Sequence, residues 1–243
     1  MKVNPMKTAK LERPKNFLMA AALLPVMLAT ATATGTAQVV PVGARAYGKT
    51  YGEWTVAYWQ WVLGIPFANN PWANDNTGEF AGVGQSGPVW FLGGTPGNSV
   101  IRMFTMPPGK GIFMPINQWI FGAAVFDCQP SVPSVPCHVP TLRAAAAAAA
   151  NGVFNMAVSI DGTLVSNPFN YRAVSPTSFS VTLPADNVVG LAPGTYAPQV
   201  SDGYYLMLPP LAAGLHMIQV HVESTAAGGI AYDIAYAIIV AGP

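Results

Sequence analysis

The clearest hydrophobic pattern lies at the end of the chain. Ile230, Tyr232, Ile234, Tyr236, Ile238 and Val240 occupy alternate positions, the period of two of a strand with one buried face. The same alternation runs through Phe154, Met156, Val158 and Ile160, and through Phe179, Val181 and Leu183. Asp161–Gly162 then marks a hairpin, with the return strand opening at Leu164–Val165. Shorter apolar stretches at Pro88–Leu92, Val100–Met106, Ile112–Ile116, Tyr204–Leu208 and Leu215–Glu223 predict further strands. GGTPGN and PPGKG turns separate the first three, and residues 117–140 read as irregular.

Two stretches break from this pattern. In YGEWTVAYWQWVL, Tyr51, Trp54, Tyr58 and Trp61 share one helical face, and Val56, Trp59 and Leu63 share the opposite one. Thr50 and Glu53 have capping-box spacing, and Gly64 and Pro66 stop the run. Only Glu53 and Gln60 form a polar stripe, so this helix is predicted to be buried. Seven alanines, Ala144–Ala150, predict a short helix capped by Thr141 and ended at Gly152. The alternative for the alanine tract is a low-complexity linker. Short strands with frequent turns and few helices predict a mainly β fold, a β-sandwich or jelly roll of roughly eight to ten strands.

The first 37 residues alter the reading of charge. Lys2, Lys7, Lys10, Arg13 and Lys15 precede an uncharged run, Phe17–Leu28, and a small-residue tract ending at Ala37. That order predicts a cleaved export signal over 1–37, with a single domain over 38–243. The apolar run is too short to anchor the chain in a bilayer. Residues 38–243 hold six basic and nine acidic side chains. Such sparse, slightly negative charge leaves no basic surface for nucleic acid. The expected location is secreted, periplasmic or at the cell surface. Cys128 and Cys137 bracket QPSVPSVP, and in an oxidising compartment they are expected to pair. Their spacing fits neither a C-x-x-C redox motif nor a usual zinc knuckle.

Several strings occur together in order: WTVAYWQW, DNTG, GVGQSGPVWFLGG, PPGKGIFMPIN and DGYYLMLPPLAAGLHMIQV. In these the chain resembles a group of secreted bacterial proteins carrying the same succession of motifs. The resemblance covers most of residues 47–240 and brings no activity with it.

Candidate chemistry concentrates in FANNPWANDNTGEF. Trp72, Asp75 and Glu79 lie close together there, an aromatic in a polar setting beside two acids. A glycosidase needs two facing carboxylates, and Asp75 with Glu79 is the best pair available. Asn74, Asp75, Asn76 and Glu79 could instead offer oxygens to calcium. The structural alternative is an Asx turn at Asp75 with Glu79 solvated. Trp54, Trp59, Trp61 and Trp90 read as core, Trp72 as exposed, and Trp119 as undecided. His216 and His221, five apart, point to opposite faces of one strand and cannot share a metal. No phosphate loop, dinucleotide fingerprint or G-x-S-x-G elbow is present. The expected function is an exported non-enzymatic binding or surface-associated module, with a glycan or other cell-surface component as partner and no cofactor or metal. Trp72, Asp75 and Glu79 are its expected ligand-binding residues. An extracellular hydrolase and a self-associating envelope or matrix protein are the alternatives.

Overall fold

The computed structural model describes residues 38–124 and 137–242. The expected export signal lies outside them. So does Cys128, and with it the Cys128–Cys137 bridge.

The described chain is mainly β, with two mixed sheets in a sandwich-like arrangement. Helix α1 (Tyr51–Leu63) comes first, followed by strands β1 (Val89–Phe91), β2 (Val100–Met106) and β3 (Gly111–Gly122). Helix α2 (Val139–Asn151) precedes β4 (Val153–Ile160), β5 (Thr163–Leu164), β6 (Arg172–Val174) and β7 (Phe179–Leu183). The long strands β8 (Gly194–Leu208), β9 (Gly214–Ser224) and β10 (Ile230–Val240) close the fold. Sheet I has the order β1-β3-β8-β6, with β7 also on β8; sheet II has the order β2-β10-β9-β4-β5. The pairs β1–β3 and β2–β10 are parallel and the others antiparallel.

Alternation along β8 explains the layers. Tyr204, Leu206 and Leu208 join the cluster between the sheets, where they meet Ile218, Val220, Ile234, Tyr236 and Ile238 of sheet II. Tyr205 and Met207 point the other way, into a second cluster under α1. Sheet I is thus covered on both faces, as the all-round apolar helix requires. Phe113 stacks on Tyr205 with ring centroids 5.3 Å apart, and Tyr51, Trp54 and Tyr58 of α1 pack against Phe113. The capping box is complete: the Glu53 N–H donates to Thr50 Oγ1 at 3.2 Å, and the Thr50 N–H donates to Glu53 Oε2 at 2.7 Å.

The structure departs from the pattern-based expectation in four places. First, β3 continues to Gly122 instead of ending at Ile116. Second, β8 begins at Gly194, ten residues before the expected start. Third, α2 starts at Val139, with His138 rather than Thr141 at the N-cap position. Pro140 fits the first turn because it needs no N–H partner there and its φ is already helical. Fourth, Phe154 is 60% exposed although it alternates with buried Met156, Val158 and Ile160. A bulge between Val153 and Asn155 interrupts the ladder with β9 and turns Phe154 outward. The alanine tract packs as a helix: Leu142 and Ala146 meet Val200 of β8. Arg172 ties its end to the sheet, with a bidentate pair to Asp202 at 2.8 and 2.7 Å and a bond to Asn151 Oδ1.

Candidate functional site

Strand β1 accompanies β3 only over Gly111–Phe113. Farther along β3 a bulge at Ile116 shifts the register against β8, from Pro115↔Tyr205 to Asn117↔Tyr204. The extra residue resets the alternation. Trp119 packs against the inter-sheet cluster and Ile120 belongs to the cluster under α1. This end of β3 borders a cleft of about 240 Å³, walled by Trp59 of α1, Trp72, Asn117, Gln118, Trp119 and Tyr232. Residues 95–97 and Ile230 complete the rim.

One part of the wall is saturated. The Trp119 indole N–H donates to Asn117 Oδ1 at 2.7 Å, the Asn117 amide donates to the Tyr232 hydroxyl at 3.3 Å, and that hydroxyl donates to the Ile116 carbonyl at 2.8 Å. Another part is not. Among the described residues six buried side-chain nitrogens or oxygens have no hydrogen-bond partner. Four belong to cleft residues: Trp59 Nε1, Trp72 Nε1, and both Nε2 and Oε1 of Gln118. All four atoms are sealed from solvent, with the Tyr58 hydroxyl set against Gln118 and the Tyr205 hydroxyl against Trp59. Burial raises both phenols' pKa.

The loop before β1 holds Trp72 in place. Asn70 is fully buried; its amide donates to the Val62 and Ile65 carbonyls, and its Oδ1 accepts from the Trp72 and Ala73 N–H groups at 3.0 and 3.1 Å. The Trp72 ring meets Trp59 edge to face, with centroids 6.0 Å apart. Gly93 lies so close to the Pro71 carbonyl that a Cβ would not fit. Trp72 is therefore half-buried, not the exposed platform its polar neighbours predict.

Asp75 and Glu79 do not line this cleft. Asp75 is only 3% exposed, and its carboxylate accepts from the N–H groups of Thr77 at 3.0 Å, Gly78 at 2.6 Å and Phe80 at 3.0 Å. Its oxygens thus face donors of their own loop, while Glu79 is exposed. Arg102, 2% exposed, fastens that loop from below: its guanidinium donates to the carbonyls of Asp75, Gly93 and Gly94 and lies over the Tyr236 ring. Burial pushes the Tyr236 phenol up to about 12, with Arg102 pulling the other way. Among the described residues no three His, Cys, Asp or Glu side chains are grouped to hold a metal ion.

A larger depression, about 610 Å³, lies on the outer face of sheet II. One row of paired residues, Ile101, Ala235, Gln219, Ser159 and Leu164, crosses all five strands. Ile101 and Leu164, 74% and 72% exposed, form the banks, and the residues between them form the floor. Its polar groups satisfy one another. His221 bonds Asp233 at 2.9 Å and Glu223 at 3.1 Å, Asn155 donates to Glu223, and Ser159 donates to Gln219. His221's pKa is raised, chiefly by Asp233 and then by Glu223. The smaller cleft is the better candidate because aromatic rings and carboxamides wall it together.

Gln118 and Asn70 are the site residues that sequence reasoning missed. Gln118 sits where the pattern reads as irregular, and its only signal is a polar residue among apolar ones. Asn70 had a usable signal in the N-P-W turn chemistry. No protein-family model, curated protein or solved structure matches the chain.

Proposed function

We propose that the protein is an exported, non-enzymatic module that binds a glycan in the tryptophan cleft. The observation that carries this reading is a cleft walled by three tryptophans and two carboxamides, Trp59, Trp72 and Trp119 with Asn117 and Gln118. Sugars offer apolar ring faces to aromatic side chains and hydroxyls to polar ones, and cavities of this make-up are the usual small-molecule sites. At about 30 Å³ per water, the cleft's volume of about 240 Å³ equals about eight waters, room on the scale of one sugar ring. Among its described lining residues there is no carboxylate or histidine, so a two-carboxylate hydrolase finds no support there. The test is a glycan array probed with purified protein and with Trp72→Phe, which shortens the aromatic wall of the cleft. Retention of specific spots by the wild type and their loss in the variant, at equal melting temperature, supports the reading. No retained spot, or spots indifferent to Trp72→Phe, overturns it.

Self-association is a second reading, favoured by the outer face of sheet II. Ile101, Met103, Leu164 and Leu215 are each more than 60% exposed there, and contiguous apolar surface of this kind commonly marks an interface. The occupant proposed is a second copy of the chain. Sedimentation velocity across a hundredfold concentration range tests it. A dimer weakened by Ile101→Lys is expected; a monomer throughout contradicts it.

A further inference from the structure

The cleft opens on the edge of a strand. Asn117, Gln118, Trp119 and Ile120 follow one another along β3, and all of them line it. Ile120 faces the layer under α1, with Trp59 and Trp72 on that side, and Trp119 faces sheet II, with Tyr232 on that side. A space bordered by both faces of one strand lies beside its edge.

The ladder shows which main-chain groups point there. Ser201 of β8 stands opposite Ile120 and turns its own main chain toward β6: its carbonyl accepts from the Ser175 N–H at 3.0 Å, and its N–H donates to Ser175 Oγ at 3.1 Å. Opposed residues of an antiparallel pair either exchange both bonds or both face away. The Ile120 N–H and C=O therefore point away from β8, and so do those of Gln118, two residues earlier and opposite Gly203. The neighbour on that side, β1, pairs with β3 only as far as Phe113. Among the described residues no loop backbone bonds these groups. The Gln118 head group is sealed, yet the residue is only half-buried, so what it exposes is stem and main chain.

Two other edges are closed. The Gln85 carboxamide caps β1, accepting from the Phe91 N–H at 2.9 Å and donating to the Phe91 carbonyl at 2.7 Å. The Thr77 carbonyl caps β2 by accepting from the Met103 N–H at 2.7 Å. Folded proteins close their edges because an open one pairs with another chain.

We infer that β3 accepts an extended, uncharged peptide strand at this edge, paired through the main chain of Gln118 and Ile120. The strand continues the line that β1 leaves at Phe91. Four residues of β3 offer about 13 Å of edge, at about 3.3 Å per residue. A cleft of about 240 Å³, the volume of about eight waters, holds about two small residues. Their side chains fall alternately against Trp59 and Trp72 and against Trp119. No Lys, Arg, Asp, Glu or His lines the space among the described residues, so a charged side chain would find no counter-ion. Main-chain pairing supplies affinity in this mode, and the flanking rings supply selectivity. The inference does not rest on the glycan reading; strand and sugar would exclude each other from the cleft.

The probe is an array of capped hexapeptides built from Gly, Ala, Val, Ser and Thr, exposed to the full protein. At least one should be retained. The strongest is then remade with a single N-methyl group at each position in turn. Methylation at alternate positions should weaken binding at least tenfold, and at the intervening positions less than threefold, because only every second amide of an added strand faces β3. Hydrogen exchange by NMR gives a second readout. In the free protein the Gln118 and Ile120 amides should exchange at least tenfold faster than that of Trp119, which faces β8, and bound peptide should slow them. Equal protection of all three in the free protein would show the edge sealed and overturn the inference. Binding indifferent to the position of the methyl group would overturn it as well. Glycans retained with no peptide bound would remove this inference alone, and a bound peptide with no glycan would remove only the glycan reading.

Discussion

Replacing Asp75 with alanine should unfold the protein more easily without touching a ligand directly. The carboxylate receives three backbone N–H groups, from Thr77, Gly78 and Phe80. In Asp75→Ala the buried Gly78 N–H loses its acceptor, a cost of about 1–3 kcal/mol. The Thr77 and Phe80 groups are more exposed and can turn to water, adding about 1 kcal/mol together. A total of about 3 kcal/mol corresponds to a melting temperature lower by about 6–12 °C for a domain of this size. Asp75→Asn keeps one oxygen for Thr77 and Gly78 but turns an NH₂ toward the Phe80 N–H, so it should fall between the two. Urea unfolding is the assay, with the midpoint shifting and the slope unchanged. If Asp75→Ala melted within about 1 °C of wild type yet abolished glycan binding, the carboxylate would be a ligand group and the reasoning would fail.

Three further outcomes follow from the packing and the charges. Trp54→Ala should cost about 3–5 kcal/mol in chemical denaturation, because its ring is buried and its N–H donates to the Ala46 carbonyl at 2.8 Å. Arg102→Met should cost about 2–6 kcal/mol by the same assay, since it strands the buried Asp75 and Gly94 carbonyls, while Gly93 keeps the Tyr236 hydroxyl. His221 should titrate above the ordinary imidazole value near 6.5 in an NMR pH series, and Asp233→Asn should lower its midpoint. With the folded value raised, any stability that His221 contributes is complete below the unfolded value. It is lost as pH rises through the folded one.

Elements with a single, uninterrupted period were legible in the sequence. The final strand keeps its alternation from Tyr232 to Val240, and α1 carries both a capping box and a stop signal. The Asp161–Gly162 hairpin also forms as read, with both residues at positive φ. What escaped was structure whose pattern is broken by its own geometry. The bulge at Ile116 inverts the alternation of β3, so the segment carrying Asn117, Gln118 and Trp119 looked irregular. In β8 the turn-like residues Pro198 and Asp202–Gly203 hid a continuous strand. Pro198 lies at the register shift against β7, where a missing N–H is tolerated, and the Asn117 carbonyl approaches Gly203 too closely for a Cβ. The loop from Asn69 to Phe80 was legible as turn chemistry, and the structure brings Trp72 to the cleft. Spacing could not reveal that the nearer acid spends its oxygens on its own backbone.

The tryptophan indoles themselves provide the most direct test of glycan binding in the cleft. The chain contains six tryptophans, and each gives one indole N–H signal in a ¹H–¹⁵N spectrum. During titration with the strongest glycan from the array, the Trp59 and Trp72 signals should shift most as a ligand packs against the rings that wall the cleft. Trp54 and Trp61 already donate to the Ala46 and Val83 carbonyls, so their signals should hold nearly still. Saturable binding that left Trp59 and Trp72 unmoved would place the ligand elsewhere and contradict the account.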